Sequence, residues 1–248
     1  MKITLLGTGD APGTPIVGCH CPTCNDARTG SRSQRLRSSL LVESDNGKVL
    51  VDTGPDLRAQ LLKAGVEHVD GVIWTHGHYD HFTGFAEFHR VQRKVEVYGV
   101  TETLDYIIDY LSFLGPSRHD IAMYETFDLI GLKFTLFRVK HRPSKNPIGV
   151  MIQEGDKKVV FTGDCEREVP EKSIEIMDKP DLLIADAIVP DLTKFHIKKH
   201  MDAIQAMELG KQIQAKEIVL THLSHYFKPH MQASEEYPLG YDGMQFEI

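Results

Sequence analysis

The stretch Thr75-His76-Gly77-His78-Tyr79-Asp80-His81 directly follows an apolar run, residues 72–74, that predicts a buried strand. Four of these seven residues carry side chains that can bind a metal, and one of the four is a carboxylate. If the strand ends near Trp74, the turn can direct His76 and His78 to one side and Asp80 and His81 to another. One short loop would then supply ligands to two adjacent ions. A solvated histidine-rich turn is the alternative, but the order His-x-His-x-Asp-His seldom arises by chance after a strand.

Three further metal-capable residues each follow a predicted strand. His141 comes after residues 132–139, Asp164 after residues 158–162, and His222 after residues 217–220. We therefore predict a paired metal site in which His76, His78 and His141 hold one ion, Asp80, His81 and His222 hold the other, and Asp164 bridges both. Asp52 also ends a predicted strand, and we favour a role in supporting the ligands over direct ligation.

This ligand set is typical of hydrolytic metal sites. Two divalent ions about 3.5 to 4 Å apart can share a hydroxide as nucleophile and stabilise charge on a phosphoryl group. Histidine and aspartate accept manganese, zinc and iron alike, so the residues leave the identity of the two ions open, with Mn²⁺ or Zn²⁺ favoured. The alternative without enzyme activity is a scaffold protein whose metals are purely structural.

A second cluster lies near the start of the chain. Cys19, Cys21 and Cys24 have the spacing of a zinc site that lacks one ligand. His20 could complete the site, but its two neighbours would already be bound, which strains so short a chelate. We therefore expect a distant histidine as the fourth ligand of one structural Zn²⁺.

Length, composition and charge limit the classes of function. The 248 residues have 41% hydrophobic and 25% charged content and a formal net charge of -7, which is ordinary for a globular protein. With no long basic run, nucleic-acid binding is disfavoured, and a small anionic substrate suits the balance better. The first residues form too short an apolar run for a signal peptide, and no later segment resembles a membrane span. We expect one cytoplasmic hydrolase domain over residues 1–248, with no membrane contact.

The histidine loop, His141, the Gly-Asp pair at Asp164 and the Thr-His pair at His222 together resemble the metallo-β-lactamase superfamily. The resemblance covers nearly the whole chain and implies an α/β fold, a four-layer αββα sandwich with the metals at one edge of two sheets. The Asp80-His81 pair resembles the phosphoesterase and hydrolase branches of that superfamily.

A narrower resemblance rests on the cysteine loop, on Thr221-His222-Leu223-Ser224-His225 and on Tyr241-Asp242-Gly243-Met244. These stretches are similar to the PhnP group, phosphoribosyl 1,2-cyclic phosphate phosphodiesterases of phosphonate metabolism. The resemblance implies that Cys19, Cys21, Cys24 and His225 hold the structural zinc. It also implies a homodimer.

The same resemblance makes His200 the general acid, and we count His200 and Asp80 as the catalytic residues. From the residues alone, a capping or surface role for His200 stays open, because it begins a predicted helix at residues 201–214. Its position there would lower its pKa, whereas Asp202 and a bound phosphate would raise it.

The implied reaction opens a cyclic phosphodiester, with 5-phosphoribosyl 1,2-cyclic phosphate giving ribose 1,5-bisphosphate. Three enzyme alternatives remain: a tRNA 3′-processing nuclease, a thioesterase like glyoxalase II, and a relative acting in pyrroloquinoline quinone biosynthesis. Residues 191–199, with His196, Lys198 and Lys199, could contact a second phosphate, as could Arg142 and Lys145. Solvated charges are the equal alternative at all these positions, so the substrate-binding residues stay unassigned.

Overall fold

The computed structural model describes residues 1–195 and 197–248. Its strands form at short runs rich in valine, isoleucine and leucine, the residues that fit a pleated and half-buried surface. In chain order the strands are Lys2–Gly7 (β1), Ser39–Ser44 (β2), Gly47–Val51 (β3), Gly71–Ile73 (β4), Glu96–Gly99 (β5), Ser117–Asp120 (β6), Thr126–Leu129 (β7), Leu132–Arg138 (β8), Ile148–Glu154 (β9), Lys157–Phe161 (β10), Leu182–Asp186 (β11), Glu217–Thr221 (β12) and Gln245–Glu247 (β13).

The helices lie between the strands. They are Pro22–Ala27 (α1), Leu57–Ala64 (α2), Tyr79–Phe82 (α3), Thr101–Tyr110 (α4), Glu171–Met177 (α5), Ala203–Gln212 (α6) and His230–Ala233 (α7), with 3-10 turns at Thr83–Phe88, Ser112–Leu114 and Leu192–Lys194. Among the described residues, every helix is too short or too polar to cross a membrane.

The strands build two sheets. One has the order β13-β1-β2-β3-β4-β5-β6 and the other the order β12-β11-β10-β9-β8-β7. Strands β3 to β6 run parallel to one another, and so do β10, β11 and β12. Since β8 and β10 are both antiparallel to β9, the carboxyl ends of β8, β10, β11 and β12 meet at one edge of their sheet.

Three apolar clusters separate the layers. The central cluster joins side chains of both sheets, including Leu5 and Leu40 from one and Leu136 and Val150 from the other. A second cluster packs α5 and α6 against the β12–β7 sheet, and a third packs α2 and α4 against the β13–β6 sheet. Truncating a fully buried leucine such as Leu136 to alanine typically costs about 2 to 5 kcal/mol. The order helix, sheet, sheet, helix confirms the predicted αββα sandwich.

Two glycines let the loops at the carboxyl-end edge approach one another. A Cβ on Gly54 would lie 2.2 Å from the carbonyl oxygen of Asp80, so only glycine allows α3 to pack there. Gly163, with φ of 58°, precedes Asp164 at the end of β10. This edge, where strands of both sheets end, carries the residues of the candidate active site.

Candidate active site

The predicted ligands converge at the carboxyl-end edge because most of them follow strands that end there. Residues 76–81 come after β4 and include the first turn of α3, and His141 comes after β8. Asp164 and His222 follow β10 and β12, which lie on either side of β11. His222 has φ of 57°, an uncommon value for a residue with a side chain, so the local fold fixes its position against a backbone preference.

Three histidines and one aspartate form the first cluster. His76 Nε2 lies 3.0 Å from His78 Nδ1, which lies 2.9 Å from His141 Nε2. Asp164 Oδ2 lies 3.7 Å from the same nitrogen of His76 and 3.5 Å from that of His141. All four side chains offer ligand atoms within 4.8 Å of one another. Four ligand atoms this close together can coordinate a single ion.

The second cluster faces the other oxygen of Asp164. Asp164 Oδ1 lies 3.3 Å from His81 Nε2 and 3.3 Å from His222 Nδ1. Asp80 Oδ2 lies 3.4 Å from the same His81 nitrogen. Asp164 therefore turns one oxygen toward each cluster, which is the geometry that a bridging carboxylate requires.

The electrostatics of both clusters fit divalent cations. Burial, with repulsion from neighbouring imidazoles, lowers the pKa of His76 well below its usual value and that of His78 to about 4, so both rings are neutral and can donate a lone pair. Burial alone would also lower the pKa of His81. The nearby carboxylates, Asp164 foremost, outweigh burial and raise the pKa of His81 well above its usual value. The second cluster therefore stabilises positive charge, as a cation site must.

Two buried nitrogens support the same conclusion. His81 Nε2 and His222 Nδ1 each lie 3.3 Å from Asp164 Oδ1, but neither makes a well-directed hydrogen bond to it or to another described residue, although both side chains are almost fully buried. A buried polar atom without a partner costs about 1 to 3 kcal/mol. A cation between these nitrogens and the carboxylates would remove that cost, so the residues present fit a pair of metal ions.

Groups behind the clusters fix the orientation of two rings. Asp52 accepts hydrogen bonds from His81 Nδ1 at 2.7 Å, from the Thr75 hydroxyl at 2.7 Å and from the Thr75 amide at 2.8 Å. His141 Nδ1 donates to the carbonyl oxygen of Lys199 at 2.8 Å. In both rings the bond holds the proton on Nδ1 and directs Nε2 into the site, where it would be the nitrogen that binds a metal. Asp52 thus lies behind His81, as we favoured from the sequence.

His200 lies beside the paired clusters. One of its nitrogens is within 4.8 Å of ligand atoms of Asp164 and His222, and its ring stacks on that of His222 with 4.9 Å between centroids. Its Nδ1 donates to Asp186 Oδ2 at 2.9 Å. Burial would lower the pKa of His200, but the buried Asp186 carboxylate outweighs it and raises the pKa to about 9.

The partner of His200 differs from the sequence-based expectation. We predicted that Asp202 would raise the pKa of His200, but Asp202 is the N-cap of α6, which begins at Ala203 rather than at residue 201. Its side chain accepts from the Gln205 amide and the Gln205 side chain returns the bond, a capping box. The carboxylate that acts on His200 is Asp186, at the end of β11.

The cysteine cluster is completed by a distant histidine. His225 Nδ1 lies 3.3 Å from Cys19 Sγ and 3.6 Å from both Cys21 Sγ and Cys24 Sγ. Tetrahedral zinc with ordinary Zn–S and Zn–N bonds would separate a sulfur and a nitrogen ligand by about 3.5 Å. His20 is exposed and lies outside this cluster.

The surroundings of the sulfurs also fit a metal. Burial raises the pKa of the Cys24 thiol to about 11, so a neighbouring cation is needed to keep it a thiolate at neutral pH. The amide of Cys24 donates to Cys21 Sγ and the amide of Ile16 to Cys24 Sγ, both at 3.4 Å. Cys165, the fourth cysteine, is buried elsewhere.

The remaining candidate residues are less closely tied to the site. Arg142 forms an ion pair with Glu166 at 3.0 Å, which occupies its guanidinium. Lys198 and Lys199 are exposed, and His196 lies outside the described residues. Lys145 lines a cavity next to His78.

Sequence reasoning assigned no role to two buried carboxylates near the site, Asp186 and Asp10. Asp10 follows β1, and burial together with repulsion from Asp80 raises its pKa to about 7. One of its oxygens has no hydrogen-bond partner among the described residues. The Gly-Thr-Gly-Asp turn at residues 7–10 was visible in the sequence, but its pairing with the loop after β12, through Gly9 and Leu223, was not.

The chain is similar to known proteins along most of its length. Residues 48–223 match the family model described as a beta-lactamase superfamily domain. A protein of Porphyromonas gingivalis named octanoyltransferase is 32% identical over 99% of this chain, and the match takes up 51% of that protein. The chain thus spans about half the length of this relative.

Two solved structures share the fold along nearly the whole chain. A structure described as a new diphosphatase from the PhnP family has a TM-score of 0.88 and 26% identity, and the match covers 100% of this chain and 97% of that one. Zinc-bound PqqB from Methylobacterium extorquens has a TM-score of 0.85 and 22% identity, with 100% of both chains covered. From the family model and the PhnP-family structure, we conclude that the chain belongs to the metallo-β-lactamase superfamily and is PhnP-like within it.

Proposed function

We propose that this protein is a metal-dependent phosphodiesterase. The observation that carries the proposal is Asp164, whose two oxygens face two separate clusters of histidines, with His200 beside both. A bridged pair of ligand clusters is the arrangement used for in-line displacement at phosphorus. The PhnP-family structure, described as that of a diphosphatase, supports chemistry at phosphorus as well.

In this proposal His76, His78 and His141 would hold one ion, Asp80, His81 and His222 would hold the other, and Asp164 would be shared by both sets of ligands. When bound, two divalent cations supply Lewis acidity toward the phosphoryl oxygens and lower the pKa of water. Of the seven proposed ligands, Asp80 and Asp164 carry the negative charges that would partly balance these cations, and the histidines would bind as neutral rings. The cysteine cluster with His225 would hold a structural zinc and brace the loop that carries His222.

His200 would supply the proton. As water's oxygen bonds to phosphorus, the bond from phosphorus to the ester oxygen breaks, and that oxygen needs a proton to leave as an alcohol. Asp186 holds Nδ1 of His200, so Nε2 is the nitrogen free to donate. The raised pKa keeps this ring protonated at neutral pH before the reaction.

The substrate we propose is 5-phosphoribosyl 1,2-cyclic phosphate. Opening its ring breaks the bond from phosphorus to the 2-oxygen and gives ribose 1,5-bisphosphate. The PhnP-like sequence features support this choice. The name of the Porphyromonas relative suggests acyl transfer, but this chain spans only half of that protein, so the name does not locate that activity in the matched half.

A turnover assay tests the proposal. The metal-reconstituted protein is given bis(p-nitrophenyl) phosphate, a 2′,3′-cyclic nucleotide, 5-phosphoribosyl 1,2-cyclic phosphate and a glutathione thioester. We expect hydrolysis of the phosphodiesters, with the phosphoribosyl cyclic phosphate preferred. Hydrolysis of the thioester alone would overturn the assignment in favour of a thioesterase. His200→Ala should lower turnover of the cyclic substrates while both ions stay bound.

A further inference from the structure

A large cavity opens next to the paired clusters. Its volume is about 1090 Å³, and it reaches His78 and Gly77 at one end. Its lining includes side chains of α4, which form one wall, and the loop after His141, at residues 143–145. Ligand pockets usually span about 300 to 1,000 Å³, so this space exceeds what a ribose cyclic phosphate alone would fill.

Tyr106 of α4 is the aromatic residue of this wall. Its ring packs on the backbone of the metal-binding loop, since a Cβ on Gly77 would lie 2.6 Å from Tyr106 Cδ1. Phe82 meets the ring edge-on from another side, with 6.1 Å between centroids. The side chain nevertheless remains 59% exposed. Tyr106 is therefore a ring held in place on one side and open to the cavity on another.

The charges of the cavity disfavour a second phosphate there. Arg118 is engaged by Asp105 at 2.7 Å and by Asp120 at 2.6 Å. Two more carboxylates, Glu102 and Asp109, line the cavity, and Lys145 is left as the cation without an ion pair among the described residues. A dianionic group would meet net negative charge in this space. A neutral, planar group would not be repelled by these carboxylates.

We infer that the cavity binds the base of a nucleoside on the non-leaving side of the phosphodiester, stacked on Tyr106. The inference rests on the proposed phosphodiesterase activity and deepens it, since it assigns the part of the site that would hold the base of a nucleoside-bearing diester. Base stacking on an aromatic side chain tolerates any base, because every base has a π face. The position of the cavity against His78 would let the phosphate reach the paired clusters while the base lies over the tyrosine ring.

Two diesters with the same leaving group test the inference. They are the p-nitrophenyl esters of thymidine 5′-phosphate and of methyl phosphate, assayed with the metal-loaded protein by release of p-nitrophenolate. We expect kcat/KM to be at least tenfold higher for the thymidine ester. Tyr106→Ala should reduce this ratio about tenfold, mainly through KM, and Tyr106→Phe should preserve it.

Tyr110→Ala is the matched control, because Tyr110 is a 63% exposed tyrosine of the same helix that lies outside the cavity lining. The ratio should be unchanged in this variant. Equal kcat/KM for the two esters in the natural protein, or a ratio that survives Tyr106→Ala, would overturn the stacking site while leaving the phosphodiesterase activity in place. If neither ester is hydrolysed, both the phosphodiesterase activity and the stacking site are wrong.

Discussion

Asp186 and His200 form a hydrogen-bonded pair in which the imidazole Nδ1 donates to the carboxylate Oδ2 over 2.9 Å. Asp186 is fully buried, and the same oxygen accepts from the Cys165 amide at 2.9 Å. The other oxygen, Oδ1, has no partner among the described residues. The carboxylate thus fixes both the tautomer and the charge of His200, and it can act on the reaction without touching the substrate.

Replacing Asp186 by asparagine isolates the charge from the hydrogen bonds. Asparagine can keep its oxygen at the Oδ2 position and place its amide nitrogen where no partner is lost. Without the negative charge, burial should lower the pKa of His200, so that less of it carries the proton to be donated at neutral pH. General acid catalysis contributes about 10²- to 10⁴-fold, so we expect kcat for a cyclic ribose phosphate to fall at least tenfold, with little change in KM.

The leaving group provides the internal comparison for Asp186→Asn. Since p-nitrophenolate departs without a proton, turnover of bis(p-nitrophenyl) phosphate should fall far less than turnover of the cyclic ester. Asp202→Asn removes a nearby charge but keeps a good helix cap, and it should leave the ratio of the two rates unchanged. Equal losses on both esters in Asp186→Asn would show that Asp186 does not act through the proton donor.

The sequence indicates the candidate ligands more clearly than the residues that support them. His76, Asp164 and His222 each follow an apolar strand. A histidine or aspartate directly after such a strand can be recognised from the local sequence alone. Asp186 also ends an apolar run, but its role depends on β11 lying between β10 and β12. That neighbour relation is set by long-range pairing, which a local pattern does not contain.

Tyr106 was missed for a similar reason. On α4 it reads as one more exposed aromatic residue of a helix. The stacking role that we infer for Tyr106 depends on the packing of α4 against Gly77. Gly77 is 29 positions away along the chain, so the two residues meet only in the folded protein.

Loss of the cysteine-held metal should reduce activity as well as stability. Cys24→Ser removes one sulfur of the cluster, and His225 then loses the anchor that holds the loop three residues after His222. We expect one metal ion per chain to be lost, the midpoint of thermal unfolding to fall by several degrees, and turnover to drop although every ligand of the paired site is intact. Elemental analysis, thermal melts and the diester assay measure these effects.

Cys165→Ser is the control for Cys24→Ser. Cys165 is equally buried but lies outside the cluster, and its Sγ donates to the carbonyl oxygen of Glu166, a bond that serine can keep. Metal content should not change in this variant. If Cys24→Ser retains its full metal content and activity, the cysteine cluster is not a zinc site.

His230 should make the folded state sensitive to acid. Burial, with the guanidinium groups of Arg35 and Arg32, lowers its pKa from 6.5 to about 4. Between these values the unfolded chain binds a proton that the folded chain does not, so stability is full above about pH 6.5 and is lost as the pH falls toward 4. At about 1.4 kcal/mol per pKa unit, the loss can reach about 3 kcal/mol.

The measurement is urea unfolding at pH 7 and at pH 4.5. The natural protein should lose about 2 kcal/mol more of its unfolding free energy over this interval than His230→Phe does, because the variant lacks the titrating group. His68→Phe, at a side chain that is 66% exposed, should behave like the natural protein. A His230→Phe variant that loses as much stability as the natural protein would refute the assignment.

Asp52→Asn should weaken the binding of one metal ion of the pair and leave the binding of the other unchanged. Asp52 has φ of 64°, a conformation that asparagine adopts more readily than most residues, so the substitution changes the side chain with little backbone cost. All three groups around the carboxylate donate to it, namely the Thr75 amide, the Thr75 hydroxyl and His81 Nδ1. The new amide group must therefore face a donor or force His81 into the tautomer with a protonated Nε2.

A protonated Nε2 cannot bind a metal, so the ion held by Asp80, His81 and His222 should bind about 10- to 100-fold more weakly, the usual effect of losing such a support. Chelator titration followed by elemental analysis should then give one tightly held ion at the paired site instead of two. Asp70→Asn is the control, since Asp70 accepts from the Lys48 amide far from the site at the start of β3. Equal loss of both ions would mean that Asp52 supports the whole loop rather than the His81 ring, and retention of both would show that its charge is not needed.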